Sequence, residues 1–230
     1  MHESARPLAP STNRARPGAP GGHLVWALVM VAAFTVVVRW LGLDIVMPAA
    51  GGTVGGAIVV TVQFGLLWLG LARIARVSLR DLGWRREHWP RQVAIGLAGA
   101  LVLSGGLVAL MTPLGALDPS ATLGTIAGYS PGQRLFFAGL GIQAALAEET
   151  LFRGYLQGAL TRRTGTVLAA TITAALFALS HLSLDPIRCL GLLWIGLVLS
   201  ALRGAGDTAG RSLVAPAVAH AALWALWGDA

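Results

Sequence analysis

Two adjacent glutamates, Glu148 and Glu149, interrupt an apolar run that begins at Ala144 and are followed by Thr150, Leu151, Phe152 and Arg153. A carboxylate at the centre of a membrane helix costs about 2.5–3.5 kcal/mol on insertion scales. Two in succession therefore mark a functional or structural site. Successive helix residues point about 100° apart, so the two carboxylates need different partners. Glu149 has one in sequence, because Arg153 lies four residues on, on the same face and in the favoured Glu-before-Arg order. That pairing gives Glu149 a structural role. The same position relative to Glu148 is Phe152. Glu148 must find its partner on another helix or take up a proton, and a carboxylate so placed is a candidate general base. The partners on offer are His181, which closes Phe177-Ala178-Leu179-Ser180-His181, and His220, in Ala217-Val218-Ala219-His220. His2, His23 and His88 fall in the N-terminal tail, at a helix start and in an arginine-rich loop. The structural alternative is a single polar packing network, which suits Glu149 better than Glu148.

The elements that must position these residues are transmembrane helices. The chain has 230 residues, 55% of them hydrophobic and only 12% charged; an ordinary soluble domain carries about 25% charge. Mean hydropathy is +0.70. This composition excludes a disordered chain, a nucleic-acid-binding tail and a disulfide-stapled secreted domain. Cys189 is the single cysteine, so there is no internal disulfide and no CxxC metal site. Residues 1–22, rich in Pro, Ala, Ser, Gly and Arg, read as a disordered cytoplasmic tail. Residues 23–230 read as one all-α, polytopic transmembrane helix bundle. A span needs roughly 20 mostly apolar residues, and about seven segments approach this: 24–43, 53–72, 93–112, 133–160, 165–182, 187–202 and 212–228. The first run continues past Val38 with no small-residue cleavage site, so it reads as a retained helix rather than a signal peptide. No alternation of the kind a barrel needs is present.

Arginine placement orients the bundle. All 17 basic residues are Arg. They concentrate in the tail, the second loop (Arg73 to Arg91), the fourth (Arg162, Arg163) and the sixth (Arg203, Arg211), while the odd loops carry Asp44, Asp118 and Asp185, with Arg188 as their basic residue. By the positive-inside rule the N-terminus is cytoplasmic and the C-terminus lies outside. The expected location is a bacterial cytoplasmic membrane, with Lys-free composition pointing to a GC-rich genome. The glutamates precede Arg162 by some 13 residues, or roughly 20 Å, which predicts a site in the outer half of the bilayer. The stretch from Arg76 to Trp89, alternating Arg with Trp or Leu, reads equally as an amphipathic segment on the headgroups or as a plain basic loop.

Taken together, these residues resemble the CAAX-protease and bacteriocin-processing family of intramembrane glutamic endopeptidases. Glu148-Glu149-Thr150-Leu151-Phe152-Arg153 matches its EExxxR motif, Phe177 to His181 its FxxxH motif, and Ser212-Leu213 followed by His220 its last motif. The resemblance covers about residues 80–228, starting near Leu82-Gly83-Trp84. It implies an all-helical membrane fold with the site inside the bilayer. It also implies that Glu148 activates water with help from His181, that His220 stabilises the oxyanion, and that Glu149 and Arg153 support the site. The family's Asn or Asp four residues after the last His falls on Trp224. An indole has one donor and no acceptor, and losing an oxyanion donor costs about two to three decades in rate. No cofactor is required, although Glu148, His181 and His220 are reasonable zinc ligands. The expected partners are the lipid bilayer and a membrane-associated or C-terminally anchored protein or peptide substrate, not nucleic acid. Two other readings are a non-catalytic scaffold or immunity-type protein, which Trp224 favours, and an ion-coupled transporter using the same glutamate and histidines.

Overall fold

A computed structural model describes residues 20–36, 58, 61, 62, 65, 67, 77–205 and 212–227. The described residues are helical throughout their regular structure, with no strand. The helices are α1 (Pro20–Val36), α2 (Leu79–Leu82), α3 (Trp89–Met111), α4 (Pro119–Gly128), α5 (Pro131–Thr164), α6 (Thr166–Ser180), α7 (Pro186–Leu202) and α8 (Val214–Trp227). The expected segments 93–112, 133–160, 165–182, 187–202 and 212–228 correspond to α3, α5, α6, α7 and α8. Segment 24–43 is described only as far as Val36, and segment 53–72 and the tail to residue 19 lie almost wholly outside the described residues. By length and apolarity α3 and α5 are long enough to cross a membrane, whereas the apolar stretches of α1, α6, α7 and α8 run to 10–17 residues.

Local sequence sets the boundaries. Ser130 caps α5 through a reciprocal pair with Gln133, and Pro131 occupies its first turn. The helix ends at Gly165, whose φ of 79° lies in the left-handed region where a side chain would be strained. α7 starts in the same manner, with Asp185 accepting from the Ile187 N–H ahead of Pro186. α4 falls in a stretch that the hydropathy pattern leaves as a connector. At ten residues it is too short for a span, but Asp118 caps it and Pro119 opens it.

Residues 77–89 form a loop around one short helical turn. α2 is a single turn, capped by Ser78 and Asp81 and ended by Gly83 at φ 109°. The chain then folds inward: Leu82 is buried, and the Gly83 carbonyl accepts from the Leu213 N–H at 2.9 Å. The segment is an anchored loop, not a helix laid along a surface.

Glycines allow the helices to approach closely. A Cβ at Gly96 of α3 would lie 2.7 Å from the Ala215 carbonyl of α8, and one at Gly196 of α7 would lie 2.9 Å from Cα of Ala174 on α6. The core gathers Leu151, Phe152 and Leu156 of α5 with Phe177, Leu213, Leu82 and, from α1, Ala27 and Val31. Outward-facing Leu97, Leu101, Leu135, Val167 and Leu179 are exposed. A water-soluble monomer rarely presents that much contiguous apolar surface; lipid accommodates it.

Candidate active site

The site lies halfway along α5, where the helix widens. Residues Glu149–Leu156 are wound as a π-helix and all eight are buried. Such segments are rare and are found mostly at functional sites. The two glutamates stand at the start of this segment and differ in exposure. Glu149 is fully enclosed, whereas the Glu148 side chain keeps 18% of its surface open.

Glu149 Oε1 is the hub. It accepts from Arg153 Nη1 at 3.1 Å and from His220 Nδ1 at 2.9 Å. Since a carboxylate only accepts, the second bond assigns the Nδ1 proton. Arg153 Nη2 donates to the Gly196 carbonyl at 3.1 Å, and its guanidinium carbon stands 4.5 Å from the centre of the Phe177 ring. Phe177 in turn meets His181 edge-on at 4.9 Å and His220 at 6.2 Å. His181, at the C-terminal end of α6, is fixed by a 2.8 Å bond between Nδ1 and the Phe177 carbonyl. With Nδ1 of His220 committed to Glu149, Nε2 turns toward Glu148, 3.9 Å from Oε2. That gap exceeds a direct hydrogen bond and is the span a water bridges.

Residues 130–226 match the family described as Type II CAAX prenyl endopeptidase Rce1-like. Over this segment the chain resembles the CAAX-protease family. No curated protein and no solved structure matches the chain. The matched segment contains every helix of the site, from α5 to α8.

Within this family framework some residues sit where the sequence places them and others do not. Glu149 and Arg153 pair on one face as their spacing predicts. His220 meets Glu149 through Nδ1 and turns Nε2 toward Glu148. Trp224 lies one turn beyond His220 and packs on α5, where a Cβ at Gly141 would fall 2.3 Å from its own Cβ. Its ring therefore helps to seat α8. Among the described residues no three His, Cys, Asp or Glu side chains form a group able to hold a metal ion.

Three contributors had little or no signal. The Gly196 carbonyl is a backbone acceptor, and an isolated glycine in an apolar helix says only that something packs closely. Phe177 reads as packing, but it is the platform joining Arg153 to both histidines. Trp84 donates its indole N–H to Thr150 Oγ1 at 2.9 Å, while Thr150 donates to the Leu146 carbonyl. The arginine-rich loop thus reaches the residue beside Glu149. His220 is also only six residues past the start of α8, about 9 Å along it. The site lies close to the arginine-loop end of α8.

Proposed function

We propose that this protein is an intramembrane endopeptidase that hydrolyses a peptide bond in a membrane-associated or C-terminally anchored protein or peptide. The observation carrying this reading is the division between the glutamates: Glu149 is locked by Arg153 and His220, while Glu148 is partly open and faces Nε2 of His220 across a water-sized gap. A water in that gap gives its proton to Glu148 as its oxygen attacks the substrate carbonyl. The proton passes to the leaving amine as the C–N bond breaks. Glu149 orients His220 as the buried carboxylate of a catalytic triad orients its imidazole. The proton with which Nε2 of His220 donates to the oxyanion is taken up from bulk water before the substrate binds and is kept through the cycle. His181, on the same aromatic platform, assists at Glu148. This chemistry requires no metal.

The fold that serves it is a polytopic bundle of about seven spans, with the N-terminus cytoplasmic, in a bacterial cytoplasmic membrane. The substrate, presented within the bilayer, is the protein's main partner. A non-catalytic scaffold is the second reading, and Trp224 at the position of the family's Asn or Asp, packed against Gly141, supports it. Purified chain in lipid nanodiscs, incubated with quenched peptides that carry either a C-terminal lipidated cysteine or an apolar anchor, separates the two. Cleavage that falls at least about 100-fold in Glu148→Gln supports the peptidase. Full activity in Glu148→Gln removes Glu148 as the base, and an inert wild-type protein across the panel favours the scaffold.

A further inference from the structure

The polar face of α5 does not stop at the glutamates. Gln157 follows Arg153 by one turn, just as Arg153 follows Glu149, and all three are at most 2% exposed. α7 answers with the same step. Arg153 donates to the carbonyl of Gly196 and Gln157 Nε2 to that of Ser200, at 3.1 and 3.3 Å, each pair 43 residues apart in sequence. α5 and α6 form a hairpin about Gly165. Thr173 and Gln157 are equally far from that turn, as are Phe177 and Arg153, which are stacked. Thr173 therefore stands one turn below the Phe177 platform, at the level of Gln157.

At these two levels four polar atoms, all on side chains at most 3% exposed, have no hydrogen-bond partner in the protein: Arg153 Nε, Gln157 Oε1, Thr173 Oγ1 and Ser200 Oγ. Glu149 Oε2, one turn above, is a fifth. Buried polar atoms are almost always satisfied by protein or by ordered water. Flipping the Gln157 amide does not help, since it would set one carbonyl against the Ser200 carbonyl. The set combines a cationic donor, an amide acceptor and two hydroxyls that do both. The guanidinium disfavours a cation, the amide and carboxylate oxygens disfavour an anion, and the burial leaves no route for a large molecule. Water is small, neutral, and both donor and acceptor.

We infer that Gln157, Thr173, Ser200 and the rear of Arg153 hold a cluster of ordered internal water between α5, α6 and α7, a reserve for the hydrolytic position at Glu148. The reserve function rests on the peptidase reading; the water site does not. A substrate segment lying over the open side of Glu148 closes the site to outside solvent. Replacement water then comes from behind, past Arg153 Nε and Glu149 Oε2.

Radiolytic hydroxyl labelling of the full chain in nanodiscs tests the site without any cleavage assay, because a buried side chain is oxidised only where water lies beside it. Phe177 and Leu156, both fully buried, should be labelled in the wild type. Labelling should fall several-fold in Thr173→Val, which removes one hydroxyl at nearly constant volume, and further in Thr173→Val/Ser200→Ala. Absence of label at both residues in the wild type overturns the water site. For the reserve, kcat in Thr173→Val should fall about tenfold with KM unchanged, and Thr173→Ser should restore it. Unchanged kcat alongside lost label overturns the reserve. A wild type that is labelled but cleaves nothing overturns the peptidase reading and keeps the water site.

Discussion

Removing Glu149 leaves the Arg153 guanidinium enclosed, with its main counter-charge gone and His220 unanchored. Deleting one member of a buried pair costs about 3–5 kcal/mol, so Glu149→Ala should sharply lower the yield of folded protein in detergent. Glu148 has an open side and no direct hydrogen bond, so Glu148→Gln should keep the wild-type melting temperature while cleavage is lost. Equal loss of folded protein in both variants would mean that both glutamates serve the bundle. Trp84→Phe removes the N–H that Thr150 accepts together with part of an indole ring packed on the core. It should cost more than the about 0.5–1.5 kcal/mol of the hydrogen bond alone in thermal unfolding, and no change at all would show that the loop does not brace Thr150. The sequence made the Glu149–Arg153 pair legible because helix spacing is local. It did not reveal which glutamate His220 would meet, since that depends on how α8 seats against α5. Nor could it reveal the Gly196 acceptor, because a backbone carbonyl has no side-chain signature.

Helix existence followed from apolar length, so α3 and α5 to α8 were readable within a few residues. α4 was not, because hydropathy reports burial in lipid and says little about a ten-residue capped helix beside it. The π-segment was also hidden: Glu149–Leu156 differs from an α-helix in winding, not in composition. Close approach at Gly196 gives the element-scale test. A Cβ there meets Ala174 backbone and side chain at 2.9 and 3.0 Å. Gly196→Val should therefore destabilise the bundle by about 1–3 kcal/mol and draw the carbonyl away from Arg153. Gly139→Ala on α5, with nothing within 4 Å of the added atom, should instead gain about 0.5–1 kcal/mol from helix propensity. Thermal unfolding of both variants in one detergent decides, and equal effects would refute the packing argument. At α4, the Asp118 carboxylate accepts from the Ser120 side chain and from the Ala121 and Ser120 backbone, which holds its pKa below the usual carboxylate value. A lowered folded-state pKa stabilises the helix above the ordinary carboxylate range and is lost as pH falls through the folded value. Amide-exchange protection of the first turn of α4, corrected for intrinsic rates, should drop at acid pH in the wild type and show no such step in Asp118→Asn.

For the whole molecule, the outward leucines and valines set the solvent and the arginines set the direction. The site takes its depth from both. Trp84 ties the arginine loop to Thr150, and His220 stands about 9 Å into α8, so the glutamates stand a short distance from the arginine loop. Leu184, in the α6–α7 connection, is fully exposed, and Arg86 is exposed in the arginine loop. With α3 as a full span and arginines held inside, these two positions belong on opposite faces of the membrane. Arg86→Cys and Leu184→Cys, each in a Cys189→Ser background, make this measurable. Serine at 189 keeps a donor for the Ser183 carbonyl that the thiol now meets at 3.2 Å. In intact cells a membrane-impermeant maleimide should modify Leu184→Cys, whereas Arg86→Cys should react only after the membrane is opened. The reverse pattern would invert the bundle and give the site to the outer face. Labelling of both from one side would mean that α3 does not cross, and the arrangement of about seven spans would fall with it.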